Sequence, residues 1–148
     1  MVDRNRNRID DVVELREIAE RALAEKDFFV RPPEDARAET ERLEVPADAE
    51  LGAAGRDLTG LPWSSIDNDD SEDLDQLEVA ERLDAGVIRV RVAIADVDHF
   101  VPKGSAIDRA AGHNTTTVYT AAGVYPMLPR KLSEQMTSLL EAVTRVAW

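Results

Sequence analysis

Residues 77–96 alternate apolar and polar side chains with a period of two, and this pattern constrains the fold more than any other feature of the chain. Leu77, Val79, Glu81 and Leu83 interleave with a second set of positions, and Ile88, Val90, Val92 and Ile94 interleave with Arg89, Arg91, Ala93 and Ala95. Between the two runs, Asp84-Ala85-Gly86 supplies turn chemistry. Successive strand side chains point to opposite faces, so the pattern predicts a β-hairpin with one buried face. A two-stranded hairpin alone is marginal in water, so it needs neighbours.

The neighbours read as a mixture of helix and strand. Residues 9–26 predict an amphipathic helix, with Val12, Leu15, Ala19, Ala22 and Leu23 at spacings of three and four. Its apolar face needs cover, and the nearby sequence offers little. Residues 31–62 read as a connector, punctuated by Pro32, Pro33, Pro46, Gly52, Gly55, Gly60 and Pro62, with a short helix at about 34–43. Ser105 stands three residues before Asp108, the spacing of a capping box, and opens another short helix. Thr115–Tyr119 is β-branched and extended, Pro126 and Pro129 frame a bend, and residues 130–142 predict a last helix. The fold class is α+β.

Composition excludes several alternatives. The chain has 148 residues, the length of one ordinary domain or of a fragment of a larger one. With 43% hydrophobic residues it can bury a core, which argues against wholesale disorder. No Cys is present, so neither a disulfide framework nor a thiolate zinc site can form. The apolar runs are far shorter than the roughly 20 residues that span a bilayer, so no membrane partner is expected. The charged start, MVDRNRNRIDDVVELRE, carries no signal-peptide pattern, and the default expectation is a cytoplasmic protein.

Charge narrows the function. The formal net charge is −12, whereas surfaces that track phosphates are usually basic. The charge is unevenly spread, however: residues 61–108 hold 4 basic and 12 acidic groups, and residues 109–148 hold 4 and 2. Six of the nine residues from Asp67 to Asp75 are acidic. Such crowding is costly unless water or a cation screens it, and a bound metal inverts the sign of the site. Oxygen ligands suit Mg²⁺, Mn²⁺ or Ca²⁺. If residues 73–75 are extended, Asp73 and Asp75 share a side, and Asp67 can return to it from the preceding loop. A solvated acidic loop explains the same composition. An EF-hand-like Ca²⁺ loop is a third reading, with Asp67, Asp69, Ser71, Asp73, Asp75 and Glu78 at its ligand positions. Glu72 stands where that loop needs Gly, and Gly60-Leu-Pro62-Trp is a poor incoming helix.

Five ordered blocks now stand out: Asp57-Leu58 with Leu61-Pro62; Ser65-Ile-Asp67 followed by Asp73-Leu-Asp75; Val92-Ala-Ile-Ala-Asp96-Val; Gly104-Ser-Ala-Ile-Asp108; and Val118-Tyr119 with Pro126-Met-Leu-Pro129, Leu132-Ser133 and Ser138-Leu139. In their order and spacing they resemble the start of the catalytic domain of the ribonuclease II (RNB) family of exoribonucleases. The resemblance implies a mixed β-sheet at the start of that domain, preceded by an N-terminal helix. It also implies a division into a helix and Pro/Gly-rich linker (1–56) and an N-terminal part of the RNB domain (57–148).

For function, the resemblance implies Mg²⁺-dependent hydrolysis of RNA from the 3′ end to nucleoside 5′-monophosphates, with Mn²⁺ as a substitute ion. Asp67, Asp73 and Asp75 match the metal-binding carboxylates, and with Gln76 they form the expected catalytic set. Clustered aspartates suit phosphodiester hydrolysis because they can hold two ions about 4 Å apart across an in-line displacement. Tyr119 matches a family tyrosine that packs against the nucleotide. Stacking on a flat ring is sequence-tolerant. The partner is the 3′ end of single-stranded RNA; DNA is not expected.

This sequence departs from the family pattern in two ways. Gln76 stands where a fourth aspartate is usual, and an amide cannot act as a base; Asp69 or Asp70 could compensate. The family's domain is also much longer, so the chain reads as a truncated fragment, inactive and poorly stable alone. A catalytically inactive RNB-like RNA-binding module is the rival reading. His99 and His113 are too far apart to read as a zinc pair. Arg89 and Arg91 read as balancing the acidic loop.

Overall fold

A computed structural model describes residues 4–45, 55–69 and 71–148. Pro46, Gly52 and Asp70 lie outside the described residues. The chain forms two compact units, each built from separated stretches. One comprises the chain up to Glu41 together with Gly104–Pro129, and the other Arg42–Lys103 together with Arg130–Trp148. The segment after Lys103 thus clusters with the N-terminal helices.

In the first unit, α1 spans Arg4–Ala24 and α2 spans Glu34–Arg42. Helix α1 starts earlier than its apolar spacing predicts. Val12, Val13, Leu15 and Ile18 of α1 stay exposed. Asp27 ends the turn after α1 at φ 60°, in the left-handed region common at helix C-termini. Pro32 and Pro33 precede α2, whose Ala36 and Thr40 are buried.

Helix α3, Ala106–Asn114, is capped three times over. Ser105 Oγ accepts from the Asp108 amide at 3.1 Å, as the capping spacing predicts. Asp108 Oδ2 accepts from the Gly104 amide at 2.7 Å, one residue further back than a capping box would place it. Glu39 Oε2, from α2, accepts from the Ala106 and Ile107 amides at 2.6 and 3.3 Å. A carboxylate there complements the helix dipole. At the other end, Asn114 pairs with the Phe29 backbone, accepting from N at 2.8 Å and donating to O at 3.1 Å. Strands β3 (Val118–Thr120) and β4 (Gly123–Tyr125) form a short antiparallel hairpin in which Tyr119 faces Val124.

The second unit is built on the predicted hairpin. Strand β1 (Gln76–Arg82) pairs antiparallel with β2 (Ile88–Ile94) across the Asp84–Gly86 turn, where Ala85 and Gly86 have φ of 57° and 76°. All strand pairing among the described residues is antiparallel. The register overturns the expectation of one buried face. Gln76, Glu78 and Ala80 sit opposite Ile94, Val92 and Val90, whereas Leu77 and Val79 sit opposite Ala93 and Arg91. Directly opposite residues share a face, so the apolar stripes of the two strands lie on opposite faces. Val79 is buried, while Ile88, Val90, Val92 and Ile94 are 42–60% exposed.

The last predicted helix is also corrected. Lys131–Met136 is a single π-helical turn rather than an α-helix to residue 142. The Thr137 amide and hydroxyl both reach back to the Leu132 carbonyl at 3.0 Å, an i to i+5 closure that widens and ends the turn. Leu132, Met136, Thr137, Ser138 and Leu139 are all buried.

Candidate functional site

The acidic loop enters through a tight turn. Asp57 Oδ1 accepts from the Thr59 amide at 3.0 Å and its hydroxyl at 2.7 Å. These bonds, the amide first, hold the Asp57 carboxyl below the usual carboxylate range. Trp63 Nε1 donates to the Leu58 carbonyl at 2.9 Å. Ser64 then joins the free edge of β1, exchanging backbone hydrogen bonds of 2.9 and 2.8 Å with Glu78.

From Ser64 the chain leaves the sheet, passes Asp67 and Asp69, and returns along residues 72–75. Four hydrogen bonds fix the returning limb. Ser138 Oγ donates to the Glu72 carbonyl at 2.8 Å and accepts from the Leu74 amide at 2.9 Å. The Leu139 amide donates to the Leu74 carbonyl at 2.8 Å. The Ala95 amide donates to the Asp75 carbonyl at 2.9 Å, which continues the β1–β2 ladder. Only 1% of Ser138 is exposed, so its hydroxyl is a rigid, dry anchor. Leu74 is half-buried, while Glu72, Asp73, Asp75 and Gln76 are exposed.

Asp73 and Asp75 are exposed on the returning limb, and Asp67 is exposed on the outgoing limb. Their donor chemistry, carboxylate oxygen throughout, fits a hard divalent cation. Among the described residues, no three carboxylate, histidine or cysteine side chains lie close enough together to form a metal cage. Gln76 opens β1, and its Nε2 donates to Glu78 Oε1 on the same face. Glu78 Oε2 is buried without a partner.

Other candidates fall elsewhere. Arg91 and Arg89 pair with Glu81 across the hairpin, at 2.8 and 3.5 Å, rather than with the acidic loop. The Arg91 hydrogen bond lowers the Glu81 pKa. Asp96 accepts from the His99 amide at 3.2 Å, closing the turn after β2. Tyr119, in the other unit, is 70% exposed. The EF-hand reading fails locally, because the loop runs into β1 where that motif needs a helix. Sequence reasoning placed Ser138 in a family-like block but gave it no role. It lies 64 residues from Leu74, and nothing local marks it as the partner of the acidic loop.

The RNB domain family matches residues 55–148. The chain belongs to the RNB family. Ribonuclease R of Escherichia coli (strain K12) is 40% identical over 103 residues, covering 70% of this chain and 12% of that protein. Exoribonuclease 2 of Vibrio vulnificus (strain YJ016) is 31% identical over 125 residues, covering 84% of this chain and 18% of that protein. The solved structure of Mycoplasma genitalium RNase R in complex with ribose methylated single-stranded RNA superposes with a TM-score of 0.74 at 30% identity, covering 84% of this chain and 19% of that one. This RNB chain thus spans less than a fifth of the length of these relatives. The matched segment contains the acidic loop, the hairpin, the Ser138 anchor and Tyr119.

Proposed function

We infer that this RNB chain contributes the acidic metal-binding loop of a hydrolytic 3′→5′ exoribonuclease that releases nucleoside 5′-monophosphates from single-stranded RNA. The observation that carries this reading is the returning limb of the loop. Its backbone is tied at Glu72, Leu74 and Asp75, and its carboxylates, Asp73 and Asp75, are left exposed. Asp67, Asp73 and Asp75 would hold Mg²⁺, with Mn²⁺ as a substitute. The cation would neutralise phosphate charge and activate water for in-line attack. The protein's part is preorganisation: a limb fixed by a buried hydroxyl need not reorder its carboxylates when the ion and phosphate arrive. Tyr119 offers an exposed ring for base or sugar stacking.

A chimera provides the test. Residues 55–148 replace the matching segment of E. coli Ribonuclease R, and the product meets 3′- and 5′-labelled single-stranded RNA with Mg²⁺ or EDTA. Release of mononucleotides from the 3′ end with Mg²⁺, lost in Asp75→Asn, is the expected result. RNA binding without release would support the inactive binding module, with Gln76 as the disabling residue.

A further inference from the structure

Ser138 reaches the acidic loop through its hydroxyl, and its carbonyl is held by Arg145. The Arg145 guanidinium spreads its donors over three main-chain carbonyls: Nε to Ser138 at 3.2 Å, Nη1 to Thr144 at 3.1 Å and Nη2 to Gln135 at 2.7 Å. Gln135 belongs to the π turn, so one side chain ties that turn, Ser138 and the segment leading to Arg145 itself. A planar fork of N–H donors suits convergent carbonyls, whereas a lysine ammonium is a single point on a flexible stem. Hydrogen bonds from an ionised donor are also stronger than neutral ones.

The surrounding chain explains why such a brace is needed. Residues 138–144 belong to no helix or strand, and Ala142 turns at φ 60°. Before them, Thr137 closes on the Leu132 carbonyl. After them, the Asp96 amide donates to the Val146 carbonyl at 3.1 Å, and Ala147 bridges Ala95, whose amide holds the Asp75 carbonyl. Only 1% of Ser138 is exposed, so its carbonyl needs a protein partner, and Arg145 supplies it.

We propose that Arg145 is a positioning residue for the metal-binding carboxylates and acts through Ser138. The proposal rests on the reading of Asp67, Asp73 and Asp75 as cation ligands. Arg145 fixes the Ser138 backbone, and the Ser138 hydroxyl fixes the limb at Glu72 and Leu74, the two neighbours of Asp73. Releasing Arg145 therefore frees the backbone that carries Asp73 and Asp75 without altering a carboxylate. Groups behind the ligands set metal affinity in this way.

The test uses the 148-residue chain with Mn²⁺ as the probe. Electron paramagnetic resonance counts the free ion, and NMR follows backbone amide exchange. Arg145→Met keeps an unbranched stem and removes the fork. It is expected to weaken Mn²⁺ binding about tenfold and to speed exchange at Leu139, whose amide donates to the Leu74 carbonyl. The amide of buried Val79, within the β1–β2 ladder, keeps its rate. Arg145→Lys, with the charge but not the fork, gives a smaller change in the same direction. In Ser138→Ala the link is already cut, so adding Arg145→Met weakens Mn²⁺ binding no further.

Mn²⁺ binding that is absent, or that Asp75→Asn leaves unchanged, overturns the cation reading and the proposal with it. Binding that Asp75→Asn weakens but Arg145→Met does not overturns the proposal alone. Additive losses from Arg145→Met and Ser138→Ala do the same, because Arg145 would then act by another route. If Arg145→Met speeds exchange at Val79 as well, the unit has opened as a whole and Arg145→Lys decides. Native Mn²⁺ affinity and a native Leu139 rate in that variant overturn the proposal.

Discussion

Ser138→Ala should loosen the acidic loop without altering any acidic residue. Its hydroxyl bridges Glu72 and Leu74 at 2.8 and 2.9 Å while only 1% of the residue is exposed. Alanine leaves both backbone groups without that partner and adds no bulk. A half-buried amide stripped of its acceptor costs about 1–3 kcal/mol, because water cannot fully replace the bond. Taking about 2 kcal/mol, and a factor of ten for every 1.4 kcal/mol, local opening of the strap becomes about 30-fold easier. The Leu139 amide reports this directly, since it donates to the Leu74 carbonyl at 2.8 Å. Native-state amide exchange should accelerate about 30-fold at Leu139, and Ser138→Cys, which keeps a weaker donor and acceptor, should fall between. Acceleration below about threefold at Leu139 would refute the reasoning and show that packing of the neighbouring side chains, not the hydroxyl, holds the loop.

In the chimera, Tyr119→Ala should weaken binding of single-stranded RNA by about 1–3 kcal/mol, with Tyr119→Trp retaining it; fluorescence anisotropy measures both. Asp69→Asn combined with Asp70→Asn should slow Mg²⁺-dependent nucleotide release if these carboxylates make up for Gln76, and unchanged release removes that role. Arg91→Ala should raise the Glu81 pKa toward its ordinary value of 4.5, read by carboxyl NMR titration. The sign follows from linkage. A carboxyl held below its unfolded value stabilises the fold above that value, and the contribution disappears as pH falls through the folded pKa. The variant should therefore lose the acid-side dependence that Glu81 contributes.

Local chemistry was the legible part of the sequence. The hairpin, its Asp84–Gly86 turn, the Ser105 cap and helix α2 all depend on residues a few positions apart. Contacts between distant residues were not legible. The two hairpin stripes look like one face in sequence, and only the pairing register puts them on opposite faces. The π turn at Lys131–Met136 depends on Thr137 choosing the Leu132 carbonyl, a choice that propensity does not encode. Glu39 reads as an ordinary polar residue and Ser138 only as part of a family-like block, yet one caps a helix 67 residues away and the other anchors the acidic loop across 64. Gln76 was visible as a departure from the family pattern, but its hydrogen bond to Glu78 was not.

The Ser138 strap also sets an order of events during synthesis. The ladder bond from Ala95 to Asp75 closes within a hairpin and can form early, whereas the Ser138 bond must await a residue 64 positions downstream of Leu74. At about 5–20 residues per second, a ribosome takes roughly 3–13 s to cover that distance. Once Ala95 has emerged, the Ser64–Glu78 bridge and the Ala95–Asp75 bond can hold the two ends of the loop, but the Ser138 strap is still missing. Mutual repulsion among the six acidic residues from Asp67 to Asp75 keeps the nascent loop solvated and out of premature contacts, and the carboxylates acquire their final spacing only when the strap closes.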